Sequence, residues 1–245
     1  MVDERLARSF RSIGEDYDRH RPGFPVAAAD EIVPLGAPTI LDLGAGTGKF
    51  TALLTPRATR VIAVEPSEAM LGVLRRRLPD VDALGGSAER IPVADGSVDV
   101  VTVAQAFHWF DREAACAEIR RVLVPQGVLG LVWNRSDPAC AWDLACTRVA
   151  HPALGNGLSG DDATRELLPG FASPRVERVP WRERISRQAY LARWLTVSSF
   201  LAAADDERAR MLSAVERILD RDPETAGREE FELPQVTDVY VYRAI

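Results

Sequence analysis

Five short apolar runs punctuate the first half of the chain: Thr39 to Leu43, Arg60 to Glu65, Val81 to Gly85, Ser97 to Ala104 and Val128 to Trp133. They are mostly uninterrupted by polar residues, the pattern of strands covered on both faces. Between them the apolar spacing becomes helical. Ser67 is a suitable N-cap after Pro66, and Met70, Leu71, Leu74 and Leu78 then recur at intervals of three and four. Asp111 caps a second helix whose Ala115, Ile119, Val122 and Leu123 form one apolar face, ended by Pro125 and Gly127. This alternation from Thr39 to Asn134 predicts a doubly wound α/β fold, a parallel sheet with helices on both faces.

Beyond Arg135 the rhythm changes. Ser136 to Pro138 reads as a turn, Ala141 to Ala150 as a helix, and Pro152 to Gly160 as a glycine-containing loop. A strand is expected around Val176 to Ile185 and a last one at Val236 to Tyr242, rich in Val and Tyr. Between them Ser186 to Phe200 and Asp205 to Asp220 read as two helices, the second with Met211, Leu212, Val215, Ile218 and Leu219 on one side. Such a pair, inserted between the final two strands, predicts a cap over one sheet edge.

Composition narrows the function. A chain of 245 residues can bury a substantial single core, and 47% hydrophobic with 27% charged residues is ordinary for a globular protein. The formal net charge of −6 leaves no basic excess for a phosphate backbone, which argues against a nucleic-acid partner. Cys116, Cys140 and Cys146 lack metal-ligand spacing and read as reduced thiols. The N-terminus has no signal-like apolar stretch and no run approaches the length of a membrane span, so a cytoplasmic protein without a membrane partner is expected.

The chemistry is concentrated in Leu41-Asp42-Leu43-Gly44-Ala45-Gly46-Thr47-Gly48-Lys49-Phe50, which ends an apolar strand and opens a helix. Glycine lets the backbone turn sharply there and lets a ligand lie against its amides. About twenty residues after Gly44, Glu65 ends the next strand, where a carboxylate can accept both hydroxyls of a ribose. The pair indicates a nucleoside site. A dinucleotide fingerprint is spaced G-x-G-x-x-G, whereas here Gly44, Gly46 and Gly48 alternate and Asp42 precedes them. An acid at that point disfavours a pyrophosphate and suits a ligand carrying an ammonium and a sulfonium, such as S-adenosylmethionine.

These segments resemble the class I S-adenosylmethionine-dependent methyltransferases. Val64-Glu65-Pro66-Ser67-Glu68-Ala69-Met70-Leu71 is similar to the family's acidic ribose-binding segment, and Gly86-Ser87-Ala88-Glu89-Arg90-Ile91-Pro92 to its adenine-side loop. Asp95-Gly96-Ser97-Val98-Asp99 resembles the lead-in to the fourth strand. Tyr17-Asp18-Arg19-His20-Arg21-Pro22 and Ala104-Gln105-Ala106-Phe107-His108-Trp109-Phe110 resemble the branch that contains trans-aconitate methyltransferase and its small-molecule relatives.

The resemblance implies a Rossmann-like, mostly parallel seven-stranded sheet with an antiparallel last strand and a small helical cap. It implies one domain over 1–245, with N-terminal lid helices in 1–35, a cofactor-binding half in 36–135 and a substrate-side half in 136–245 whose cap spans 186–222. The cofactor would be S-adenosylmethionine, leaving as S-adenosylhomocysteine, with no metal. By position, Asp42, Gly44, Ala45, Gly46, Thr47 and Gly48 would hold its methionine end, with Gln105 and Ala106 beside them. Glu65, Pro66 and Met70 would hold the ribose, and Ser87, Ala88 and Glu89 the adenine. Ser87 departs from the Asp that the family often places there, and the Glu89 carboxylate is available to compensate. Tyr17 and Arg21 resemble a lid, with Pro22 fixing the chain.

On the acceptor side the resemblance implies that His108 orients or deprotonates a small molecule, an organic acid or a hydroxylated metabolite, with Trp109, Trp133, Asn134 and Trp194 lining the pocket. Two other readings stay open at this point: a protein that binds the cofactor without turnover, and an NAD-dependent oxidoreductase. The oligomeric state, a homodimer included, is not decided by the sequence.

Overall fold

The computed structural model describes residues 21–33, 36–151 and 167–245. Seven strands form one sheet: β1 Ala37–Leu43, β2 Ala58–Glu65, β3 Asp82–Gly85, β4 Val98–Ala104, β5 Leu123–Ser136, β6 Arg175–Ser186 and β7 Glu230–Arg243. Their order is β3-β2-β1-β4-β5-β7-β6. β1 pairs in parallel with β2 on one side and β4 on the other, so the direction of winding reverses between β1 and β4. Ligands bind at the carboxyl ends of the strands flanking such a reversal. β7 runs antiparallel to both of its neighbours, β5 and β6, as the resemblance implied for the last strand. No helix among the described residues is long and apolar enough to cross a membrane.

The helices are α1 Val26–Ile32, α2 Thr51–Leu54, α3 Glu68–Arg77, α4 Arg112–Val122, α5 Ala141–Ala150, α6 Arg187–Trp194, α7 Ser198–Ala202 and α8 Asp205–Arg221. Side chains alternate across the sheet because successive Cβ atoms of a strand point to opposite faces. Leu41 and Leu43 of β1 join the core under α4, where Ala115, Cys116, Ile119 and Val122 are buried. Ile40 faces the opposite core, built with Ala28, Ala29 and Ile32 of α1 and with Phe50 and Leu54. Ser67 and Asp111 cap α3 and α4 as the sequence suggests, accepting from the amides of Met70 and Ala114.

The segment 186–222 folds around a third core, which it shares with α5. Cys146 and Ala150 pack there against Tyr190, Trp194, Phe200, Val215, Leu219 and Phe231. All three cysteines are free and buried. The single helix expected over Ser186 to Phe200 is interrupted: α6 ends at Trp194 and α7 begins at Ser198. Thr196 and Val197 are β-branched, and the Thr196 hydroxyl bonds back to the Arg193 carbonyl at 2.7 Å, competing with continuation of the helix. The break leaves the Thr196 carbonyl available to a partner from another part of the chain.

Candidate functional site

The carboxyl ends of β1, β2, β4 and β5 open into a cleft of about 540 Å³. Its floor is the loop after β1. Gly44 and Ala45 donate their amides to the Val64 carbonyl at 2.8 and 3.1 Å, which ties the loop to the end of β2. Gly44, Gly46 and Gly48 have φ of 68°, 57° and 82°, in the left-handed region where a side chain is strained. Their roles differ. A Cβ on Gly44 would lie 2.7 Å from Ala106 Cβ, so this glycine lets β1 approach the loop after β4. A Cβ on Gly46 would meet only Met70 Sδ at 3.9 Å, so the bare backbone faces open space in the cleft. Gly48 does not line the cleft, contrary to its expected place at the methionine end. A Cβ there would lie 2.9 Å from Leu74 Cγ, and its smallness serves packing on α3.

Glu65 is buried where the ribose-binding acid was expected. Its Oε2 accepts the Gly46 amide and its Oε1 the Ser67 amide, both at 2.9 Å. Burial raises its pKa, and these two amide bonds oppose the rise. Each oxygen keeps a further lone pair for a hydroxyl donor from the cleft.

Asp42 lines the cleft, and its carboxylate is held by two hydroxyls. Alternation along β1 turns it to the face of Ile40, where it is 1% exposed and accepts from the Thr51 hydroxyl at 2.6 Å and the Thr102 hydroxyl at 2.9 Å. Burial pushes its pKa up to about 6 against the two hydroxyl bonds, and the neighbouring Glu65 charge adds to the rise. Asp42 therefore anchors the loop between β1, β4 and α2, and acts on the cleft through its charge.

Pro66, Met70, Ser87, Ala88, Glu89, Thr47, Ala45, Gln105 and Ala106 all line the cleft. Glu89 also accepts the Asp111 amide at 3.0 Å, so the adenine-side loop is braced by the start of α4. Gln105 adopts a left-handed φ of 57°, rare for a residue with a side chain, and its amide Nε2 donates to the Asn134 carbonyl at 3.2 Å. Tyr17 lies outside the described residues.

His108 and Trp109, expected at the acceptor, line the cleft in a turn of 3-10 helix after β4, His108 exposed, their rings 4.8 Å apart. Two aromatics expected there are elsewhere. Trp133 is 3% exposed and stacks edge-on against Tyr240 in the core under α4, because it shares a face of β5 with Leu129 and Leu131. Trp194 is buried in the third core between Tyr190 and Phe200. Asn134 lines the cleft, but its side chain is committed: Nδ2 donates to the Gly23 carbonyl at 2.8 Å and Oδ1 accepts from Thr237 at 2.7 Å.

That bond places the N-terminal segment over the cleft. Arg21 then reaches across to the interrupted cap helix, donating from Nη2 to the Thr196 carbonyl at 2.8 Å, while Lys49 Nζ donates to the Arg21 carbonyl at 2.6 Å. The result is a strap joining the loop after β1, the N-terminal segment and the cap. Phe24, Phe50, Lys49, Val197 and His151 line the cleft without having been singled out in the sequence. Lys49 follows the glycines directly, but its bond to the Arg21 carbonyl joins segments 28 residues apart. His151, at the end of α5, carries no local signal that would join it to a loop a hundred residues earlier.

These residues fit the donor that the resemblance implied: an unobstructed Gly46 amide backbone beside a buried carboxylate with acceptor capacity left, and cationic Arg21 and Lys49 at the other end. The methyltransferase domain family matches residues 41–131. An uncharacterized methyltransferase of Mycobacterium tuberculosis is 39% identical over 234 residues, 95% of this chain and 94% of that one. An uncharacterized methyltransferase of Schizosaccharomyces pombe is 37% identical over 178 residues, 71% of each chain. Among solved structures, a candidate type II methyltransferase of Anaeromyxobacter dehalogenans superposes with a TM-score of 0.70 at 28% identity, covering 91% of this chain and 97% of that one. With this identity over nearly its whole length and this strand order, the chain belongs to the class I S-adenosylmethionine-dependent methyltransferases.

Proposed function

We propose that the enzyme transfers a methyl group to a small-molecule acceptor, an organic acid or a hydroxylated metabolite, held between the cofactor and the cap. The observation that carries this reading is the strap: Arg21, bonded to the Thr196 carbonyl, closes the cleft on the acceptor side. A volume of about 540 Å³ under such a strap is in the range of small-molecule sites. The net charge of −6 argues against a nucleic-acid acceptor.

Bound S-adenosylmethionine would supply an already activated methyl on a sulfonium, so the protein has to align an acceptor and exclude water. Glu65 would accept the ribose hydroxyls while keeping its bonds to the Gly46 and Ser67 amides. Ser87, Ala88 and Glu89 would border the adenine. Arg21 and Lys49 are suited to the carboxylate of the methionine end, and the ionised Asp42 to the nearby cationic groups. His108, Trp109 and Val197 would border the acceptor. Asn134 acts through the backbone it holds, as a positioning residue for Arg21.

Incubation with methyl-labelled donor and a deproteinised metabolite extract, followed by chromatography, is expected to give a small labelled product. Label recovered only in added protein or nucleic acid would overturn the reading. A protein that binds donor yet labels nothing would identify a non-catalytic binding protein instead.

A further inference from the structure

The acceptor side of the cleft holds a group that the glycine and strand-end motifs do not disclose. His151 is the C-cap of α5, its amide bonded to the Thr147 carbonyl at 2.9 Å. It lines the same cleft as Arg21, Val197 and His108. The other ionisable side chains there are committed or unsuited to taking a proton. Asp42 and Glu65 accept bonds from hydroxyls and backbone amides, Glu89 accepts from Asp111, and Arg21 and Lys49 are cations. His108 is exposed to water, whereas His151 is half-buried beneath the strap.

We propose that His151 is the proton acceptor of the reaction and that the methyl acceptor is protic, an alcohol, phenol or amine, not a carboxylate. This rests on the function proposed above. Arg21 joins the N-terminal segment to the cap, and His151 lines the cleft with it and with His108 and Val197, the residues assigned above to the acceptor. As the acceptor oxygen or nitrogen bonds to the methyl carbon, the carbon–sulfur bond breaks and its electron pair stays on sulfur. The proton of the acceptor passes to the imidazole and then to water. A carboxylate acceptor is already ionised at neutral pH and has no proton to give.

The electrostatics keep the imidazole ready. Burial first, and then the Arg21 charge facing it from the N-terminal segment, lower the His151 pKa. Among the described residues Arg21 is the charge that acts on it, Lys49 lies next to Arg21 through the carbonyl bond, and Arg148 on its own helix points to solvent. At pH 7 the ring is neutral and able to accept.

The test uses the full chain, methyl-labelled donor and a deproteinised metabolite extract. Wild-type product is expected to retain its label in mild alkali, as ethers and methylamines do. His151→Gln should lower transfer at pH 7 by about 100-fold or more, the lower end of general-base effects. It should leave donor affinity within about threefold and remove the acid limb of the kcat profile. A second measurement is independent of turnover. The chain has three histidines, so His151 is assigned in an imidazole NMR titration by the signal missing from His151→Gln. That signal should titrate at a higher pH in Arg21→Gln, where the charge facing the ring is gone. Release of volatile labelled methanol in alkali, an unchanged rate in His151→Gln, or a His151 titration that Arg21→Gln leaves unmoved would each overturn the proposal. Absence of any labelled product from the wild type would instead bring down the proposed function on which it rests.

Discussion

Replacing Asp42 by Asn should stabilise the free protein and weaken its hold on the donor. The carboxyl is buried and its pKa is raised from 3.8 to about 6. A folded pKa above the unfolded one means that the folded state binds the proton more tightly. The associated stability is complete below pH 3.8 and is lost as pH rises through about 6. Two pKa units correspond to about 3 kcal/mol at pH 7.5, with roughly half of that already lost at pH 5. Asparagine has the shape of the protonated acid and carries no charge. Its amide can keep both neighbours, with one threonine hydroxyl donating to Oδ1 and the other accepting from Nδ2. Urea denaturation of wild type and Asp42→Asn should therefore coincide near pH 3.5 and diverge to about 3 kcal/mol in favour of the variant at pH 7.5, several degrees in Tm for a domain of this size. The same variant should bind S-adenosylmethionine about tenfold more weakly while S-adenosylhomocysteine, which lacks the sulfonium charge, changes less. A stability difference that is constant across this pH range, or a variant less stable at pH 7.5, would refute the assignment of a buried, reluctantly ionised acid. An equal loss for both ligands would refute its electrostatic role.

Gly46→Ala should cost only about 1–2 kcal/mol of stability, the price of a left-handed backbone, yet reduce donor affinity by far more than that in calorimetry, since the new methyl enters the cleft. Glu65→Gln replaces one acceptor oxygen by an NH2 facing a backbone donor. A loss of about 1–3 kcal/mol in stability, together with a donor affinity at least tenfold lower, is expected in parallel denaturation and binding titrations. Asn134→Ala removes the bonds to Gly23 and Thr237 and should raise KM for the donor with a smaller effect on kcat, a split that steady-state kinetics would reveal.

The strand and helix order was legible in the chain because its causes are local. Apolar runs bounded by turn residues specify strands, Ser67 and Asp111 announce helices, and the glycines after β1 need no knowledge of their neighbours to be read as a bend. Gly44, Gly46 and Glu65 could be joined because they sit on adjacent strands of a repeating βα pattern, and the structure brings Gly46 and Glu65 to 2.9 Å. Direction was harder to read than position. Asp42 borders the cleft yet gives its carboxylate oxygens to Thr51 and Thr102, and one step along β5 sends Trp133 into the core and Asn134 to the cleft edge.

The part of the cleft beneath the cap depended on contacts between distant segments. Asn134 to Gly23, Arg21 to Thr196 and His151 beneath them span separations that no periodicity encodes. Trp194 illustrates the same limit: its aromatic ring suited a pocket, but packing with Tyr190 and Phe200 buries more apolar surface. The amino-acid sequence by itself determined the order of strands and helices and the glycine bend beside Glu65, because short-range pattern and backbone stereochemistry suffice for them. Tertiary structure alone decided which side chains line the cleft beneath the cap, because that depends on how the cap, α5 and the N-terminal segment pack against one another across the strand ends.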